Sequence, residues 1–83
     1  MEEDAGYKKL IVWQKADELA LLTYRVTGSF PKSEMFALTS QMRRSALSVP
    51  TNIVEGYARN GHAEFKRFIV IALGSLAEVK YLL

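Results

Sequence analysis

Residues 65–83 read FKRFIVIALGSLAEVKYLL, and the spacing of their apolar side chains decides the fold. Phe65, Ile69, Ala72, Leu76, Val79 and Leu83 recur at intervals of 4, 3, 4, 3 and 4 residues, the period of one face of an α-helix. Beside them runs a second apolar series, Val70, Leu73 and Ala77, continued by Tyr81. A helix that is apolar on two sides is buried on two sides. The pattern is still running at Leu83, with no cap, glycine or polar tail after it. The expectation is that this helix is cut short here or that a further segment follows.

Working back from that segment, Arg59-Asn60-Gly61 is a turn signal that separates it from an earlier helix. Met35, Leu38, Met42, Ala46, Val49 and Ile53 form the stripe of that helix, which is predicted from Ser33 or Met35 to about Tyr57. Ser33 is a candidate N-cap, and Glu34 in the first turn suits the positive end of the helix dipole. Pro50 falls inside the stripe. A proline there lacks the N–H and crowds the carbonyl one turn back, so a kink or a break near Ala46–Val49 is expected. The register continues through Ile53, which favours the kink. Ser45, Ala46 and Ser48 are small enough to let a neighbouring helix approach closely. A first helix is predicted from about Val12 to Thr27, with Val12, Ala16, Leu19, Thr23 and Val26 on its stripe and Trp13, Ala20 and Tyr24 widening it. Gly28 marks its stop, and Pro31 prevents easy resumption.

The composition agrees with a small helical domain and excludes several alternatives. Eighty-three residues make one domain, 1–83, with residues 1–6 expected to be a disordered tail. A core this small is marginal alone unless something else covers its apolar surface. Apolar residues are 49% of the chain and charged residues 24%, the balance of a soluble globular protein. The longest apolar run, Phe68 to Leu73, is six residues, against about 18 for a membrane span. The acidic start, Met1-Glu2-Glu3-Asp4, does not resemble a signal peptide. Without cysteine there is no disulfide, no thiolate nucleophile and no Cys-based zinc site. A cytoplasmic location fits these features. Residues 1–34 carry five Lys/Arg and six Asp/Glu, a net of −1, and residues 35–83 carry six and three, a net of +3. This asymmetry permits an anionic partner without demanding one.

No catalytic constellation is present. There is no glycine-rich phosphate loop, no HExxH and no second histidine to pair with His62, so no cofactor, metal site or catalytic residue is assigned and the chain is read as non-enzymatic. The residues that remain each carry two readings. Arg43 and Arg44 lie off the apolar stripe, and Arg59, Lys66 and Arg67 gather around the turn. They form either a phosphate-binding surface, since guanidinium matches phosphate in a fork, or solvated charge and ion pairs within an oligomer to Glu64 or Glu78. Asn52 and Glu55 line a ligand site or satisfy backbone freed by Pro50. Gly74-Ser75 is a ligand contact or a close helix crossing. Trp13, Tyr24 and Tyr81 are stacking platforms for bases or parts of a core or interface. His62 is read as a solvated turn residue.

Three blocks of sequence, in order, carry a resemblance. They are Val12-Trp13-Gln14-Lys15-Ala16; the long stretch from Phe30 through Gln41-Met42-Arg43-Arg44-Ser45-Ala46 to Pro50-Thr51-Asn52-Ile53-Val54-Glu55-Gly56; and Ala72-Leu73-Gly74-Ser75-Leu76-Ala77-Glu78. Over about Tyr7 to Leu83 the chain resembles a bacterial four-helix-bundle family first noticed as proteins encoded by intervening sequences inside large-subunit ribosomal RNA genes. Its members carry a misleading ribosomal-protein label for that reason. The accessory protein of diversity-generating retroelements is a related branch.

The resemblance implies an all-α, antiparallel up-down four-helix bundle, of which this chain supplies three helices. It also implies a homo-oligomer, with a cyclic pentamer the family-based expectation and a dimer the alternative. In the retroelement branch it implies contact with nucleic acid and a reverse transcriptase. Arg43, Arg44 and Arg59 match the family pattern, which brings RNA contact to the fore as the function, with a structural or protein-interaction oligomer as the alternative. Two departures stand out. The family's fourth helix, after Leu83, is absent, and Gly61 occupies a position where relatives often carry an N-capping serine.

Overall fold

The computed structural model describes residues 2–59 and 61–82. Asn60 of the expected turn and Leu83, the last member of the third stripe, lie outside the described residues. A 3-10 helix, Glu2–Lys9, leads into α1, Ile11–Thr27; a 3-10 turn, Lys32–Glu34, and five π-wound residues, Met35–Thr39, lead into α2, Ser40–Ala58; and α3 spans His62–Leu82. The chain is thus all-helical, with three α-helices and no strand among the described residues.

The order of contacts makes both helix pairs antiparallel. Arg43 at the start of α2 meets Thr27 at the end of α1. Gln41 at the start of α2 meets Glu78 near the end of α3, while Gly56 near the end of α2 lies against Phe68. α2 is the central helix, flanked by α1 and α3. The radius of gyration is 13.8 Å, whereas a compact domain of this length has roughly 12 Å. The molecule measures 43 × 24 × 18 Å, and its elongation leaves apolar surface open.

Helix boundaries follow local chemistry. α1 stops where Gly28 was expected to stop it, but not through a left-handed cap. Gly28 stays right-handed (φ −62°) and its N–H bonds to the Tyr24 carbonyl at 3.1 Å and to that of Arg25 at 3.3 Å. Pro31, at φ −57° and ψ 145°, then turns the chain. No side-chain cap hydrogen bond forms from Pro31, Glu34 or Thr39 at the entry to the second helical stretch, so Ser33 is not its N-cap. A π turn holds one more residue than an α turn, and the five π-wound residues rotate the predicted stripe out of register. Met35 is exposed and Phe36 is 97% exposed, while Thr39 is buried. Downstream the stripe is as expected, with Met42, Ala46, Val49 and Ile53 all buried. α2 runs unbroken through Pro50. Gly61 takes φ +120°, which only glycine adopts at low cost, and reverses the chain into α3.

The core is built on small and branched side chains. Ala16 of α1, Val49 and Ile53 of α2 and Ala72 of α3 form its centre, with Leu10, Trp13, Phe65, Ile69 and Leu76 packed around them. Alanine at these places lets the helices come close. Gly56 takes this further, since a Cβ there would lie 2.7 Å from Cβ of Phe68. The stripes of the outer helices are only half used. Val12 and Val26 of α1 remain 47% and 42% exposed, and Leu73 of α3 remains 58% exposed.

Candidate nucleic-acid interface

The five basic residues singled out in the sequence do not converge. Arg43 lies in the first turn of α2 and Arg59 is the residue just past its end, 16 residues on, about 24 Å at 1.5 Å per residue. Arg43 and Arg44 therefore sit at one end of the molecule and Arg59, Lys66 and Arg67 at the other.

Arg43 is engaged in the fold. Its Nε donates to Thr27 Oγ1 at 2.8 Å, its Nη2 donates to the Tyr24 carbonyl at 3.3 Å, and its guanidinium lies 4.8 Å over the Tyr24 ring. The C-terminal end of a helix favours cations. Arg43 supplies one to α1 from the neighbouring helix, adding to the Gly28 N–H that the Tyr24 carbonyl already accepts, and its guanidinium lies over the ring of Tyr24, one of the candidate stacking platforms. Arg44 is exposed beside a polar cleft of 340 Å³ between α2 and α3, lined also by Gln41, Ser45, Ser48 and Glu78. In the cleft Gln41 Nε2 donates to Glu78 Oε2 at 3.3 Å, and Ser48 donates to Ser75.

At the opposite end, Arg59 and Arg67 share one aromatic ring. Their guanidinium carbons lie 5.2 Å and 4.9 Å from the centroid of Phe68, within the range of a cation–π contact. Each also meets a glutamate, Arg59 with Glu55 at 3.2 Å and Arg67 with Glu64 at 3.6 Å. These side chains are roughly half exposed, between 46% and 60%, so the ion pairs are worth only about 0–1 kcal/mol each. Lys66 is exposed and forms no ion pair with a described residue. Phe68 as a shared platform was missed in the sequence because it lies off the α3 stripe; Gly56, placed to admit it, was the available signal.

Several of the remaining candidates make contacts within the fold, and others stand in solvent. Thr51 Oγ1 donates to the Leu47 carbonyl and Asn52 Nδ2 to that of Ser48, both at 2.8 Å, so Asn52 serves backbone next to Pro50. Glu55 is the partner of Arg59. Ser75 marks a close approach of α3 to α2, but a Cβ on Gly74 would meet nothing. Trp13 packs on the core, edge-on to Tyr7 with centroids 5.1 Å apart. Tyr81 is 87% exposed, and His62 is exposed at the turn.

An apolar groove of 250 Å³ lies between α1 and α3, floored by Val49 and Ile53 and walled by Leu19, Ile69, Leu73 and Leu76. Among the described residues no group of three or more His, Cys, Asp or Glu could hold a metal ion, and no helix is long and apolar enough to cross a membrane.

No curated protein matches the chain. The family model described as 23S rRNA-intervening sequence protein matches residues 8–83, all but the first seven residues. Three antiparallel helices with an open apolar groove, carrying the motif blocks of that family, place the chain where the sequence pointed: it belongs to the 23S rRNA-intervening sequence protein family.

Proposed function

We propose that this protein is a non-enzymatic, oligomeric helical bundle that binds RNA or another nucleic acid through phosphate contacts. The observation that carries the reading is the pair of guanidiniums, Arg59 and Arg67, held on the two sides of one turn by the Phe68 ring. Two cations fixed by a shared ring lose little side-chain freedom on meeting a phosphate. Their glutamate partners are exposed and weakly bound, so a phosphate can displace them. Lys66 adds charge at the same end, and Arg44 supplies an exposed guanidinium at the other. In an oligomer these sets repeat, and weak contacts add through avidity. A retroelement setting would add a reverse transcriptase as partner.

The bundle is completed, in this reading, by a fourth helix seated in the groove over Val49 and Ile53, giving an antiparallel four-helix bundle with a cytoplasmic location. Pro50 bends α2 there. It cannot donate to the Ala46 carbonyl, and the Thr51 and Asn52 side chains serve the carbonyls beside it.

The experiment is a binding titration with structured RNA across a salt series, on the intact protein and on Arg59→Glu/Arg67→Glu. Phosphate binding falls steeply with salt as counterions are released, and the double variant should lose it with helix content unchanged. Arg43 is a poor test site because its replacement disturbs the α1–α2 contact. The alternative, a structural oligomer without nucleic acid, is favoured by the open groove and by the glutamates beside both arginines. Absence of binding at low salt would establish it over the first.

A further inference from the structure

A pocket of 300 Å³ opens where the end of α2 meets the start of α3, at the lower end of the range for small-molecule sites, about 300–1,000 Å³. Leu10, Gly56, Tyr57 and Phe65 give it apolar walls, and Arg59 and His62 add exposed polar ones. Gly56 has no side chain to fill the space, and Phe65 and Phe68 both come against it. Gly6 lies against the hydroxyl of Tyr57, where a Cβ would come 2.5 Å from the oxygen. The segment before α1 thereby fixes the far end of that ring, while Tyr57 stays 44% exposed. Phe65 packs against the core. Two aromatic rings are thus preset beside a cavity, and the sequence singled out neither as a stacking platform.

Arg59 joins this pocket to the pair of guanidiniums. It lines the cavity and also lies 5.2 Å from the centroid of Phe68, with Arg67 on the same ring at 4.9 Å. No described carboxylate is among the walls, and Glu55 and Glu64, which meet the two arginines, lie outside them. An aromatic cavity with guanidiniums at its edge fits a ligand that is planar, apolar on its faces and joined to an anion. A nucleotide has that chemistry. In a duplex the base beside a bound phosphate is stacked and paired. In a single strand the base is free to turn onto aromatic side chains.

We propose that this pocket takes an unpaired base of a nucleic-acid strand, stacked on Tyr57 and Phe65, with the adjoining phosphate on Arg59 and Arg67. This rests on the phosphate-binding reading above and names its ligand as single-stranded. Stacking on aromatic rings tolerates any base, so the preference is for unpaired strand over duplex and not for a sequence.

The test measures binding of the full chain, by fluorescence anisotropy at one low salt concentration, to a short oligoadenylate strand and to a blunt RNA duplex with the same number of phosphates. Charge alone favours the duplex, whose phosphates are denser; a base pocket reverses that order. Tyr57→Ala removes an exposed ring, and Phe65→Leu removes a ring while keeping an apolar side chain against the core. Each should weaken binding of the strand about tenfold and leave binding of the duplex unchanged. Helix content is followed by circular dichroism, and Tyr57→Ala decides alone if Phe65→Leu loses it. A duplex bound at least as tightly as the strand, or ring variants that bind the strand like the wild type, overturns the pocket while leaving phosphate binding in place. Adenosine monophosphate bound as tightly as the strand overturns the assignment to a strand. No binding of either nucleic acid overturns both readings.

Discussion

Arg43 Nε donates to Thr27 Oγ1 at 2.8 Å, and that hydroxyl donates in turn to the Thr23 carbonyl at 2.7 Å. A cation on α2 is thereby tied to the last turn of α1 through a buried threonine. Hydrogen bonds to charged groups are worth about 1.5–3 kcal/mol, and Arg43 is only half-buried, so Arg43→Ala should cost about 1–2 kcal/mol. Arg44, one residue on and exposed, should change stability by less than about 0.5 kcal/mol as Arg44→Ala. Urea midpoints of the two variants check the contrast, and equal effects would refute the structural role of Arg43.

The same pair shows where sequence reading stops. Helix number, the α2–α3 turn and the downstream core were legible because apolar periodicity is a local property of the chain. Met42, Ala46, Val49 and Ile53 fell on the predicted face and are buried. Met35 did not, because π winding over Met35–Thr39 adds a residue to the turn, and no residue type marks that. The basic set was legible as charge but not as geometry. Arg43 and Arg44 are neighbours in sequence and both lie off the stripe, yet a rotation of about 100° turns one toward α1 and leaves the other in solvent. Side-chain partners across helices depend on crossing geometry, which a single sequence does not encode in readable form.

Two helical glycines separate packing from propensity. Gly56→Ala places a Cβ 2.7 Å from Cβ of Phe68, an atom fixed to its own helix, and the helices must separate. Overpacking of this kind costs about 1–3 kcal/mol, more than the gain of up to about 1 kcal/mol from replacing a mid-helix glycine. Gly74→Ala meets nothing and keeps the propensity gain. Denaturation at submicromolar concentration, where self-association contributes little, should show the first variant weakened and the second strengthened. A stabilised Gly56→Ala would place the α2–α3 crossing wrongly.

Gly61 sets two effects against each other. Serine is a better N-cap than glycine by a few tenths of a kcal/mol. At φ +120° a side chain is strained, at a cost of order 1–3 kcal/mol. Strain outweighs the capping gain, so Gly61→Ser should lower stability by about 1 kcal/mol or more, read from the thermal midpoint. A neutral or stabilising result would show that the turn adopts a conformation open to all residues.

Three threonines are buried near the α1–α2 end, and they should respond to valine with opposite signs. Thr23 Oγ1 donates to the Leu19 carbonyl at 2.8 Å, and Thr27 Oγ1 links Arg43 to the Thr23 carbonyl. Thr39, 1% exposed, has no hydrogen-bond partner for its hydroxyl among the described residues. It is the last of the π-wound residues. A buried hydroxyl without a partner forfeits about 1–3 kcal/mol of hydration, and valine has nearly the same shape without that penalty. Thr39→Val should therefore stabilise the protein by about 1 kcal/mol. Thr27→Val removes the acceptor of a guanidinium N–H and should destabilise by about 1–2 kcal/mol. Measured side by side by urea denaturation, the two substitutions change the same atoms in the same kind of site. If both destabilise equally, packing alone governs this end of the bundle and the Arg43 tie contributes nothing to it.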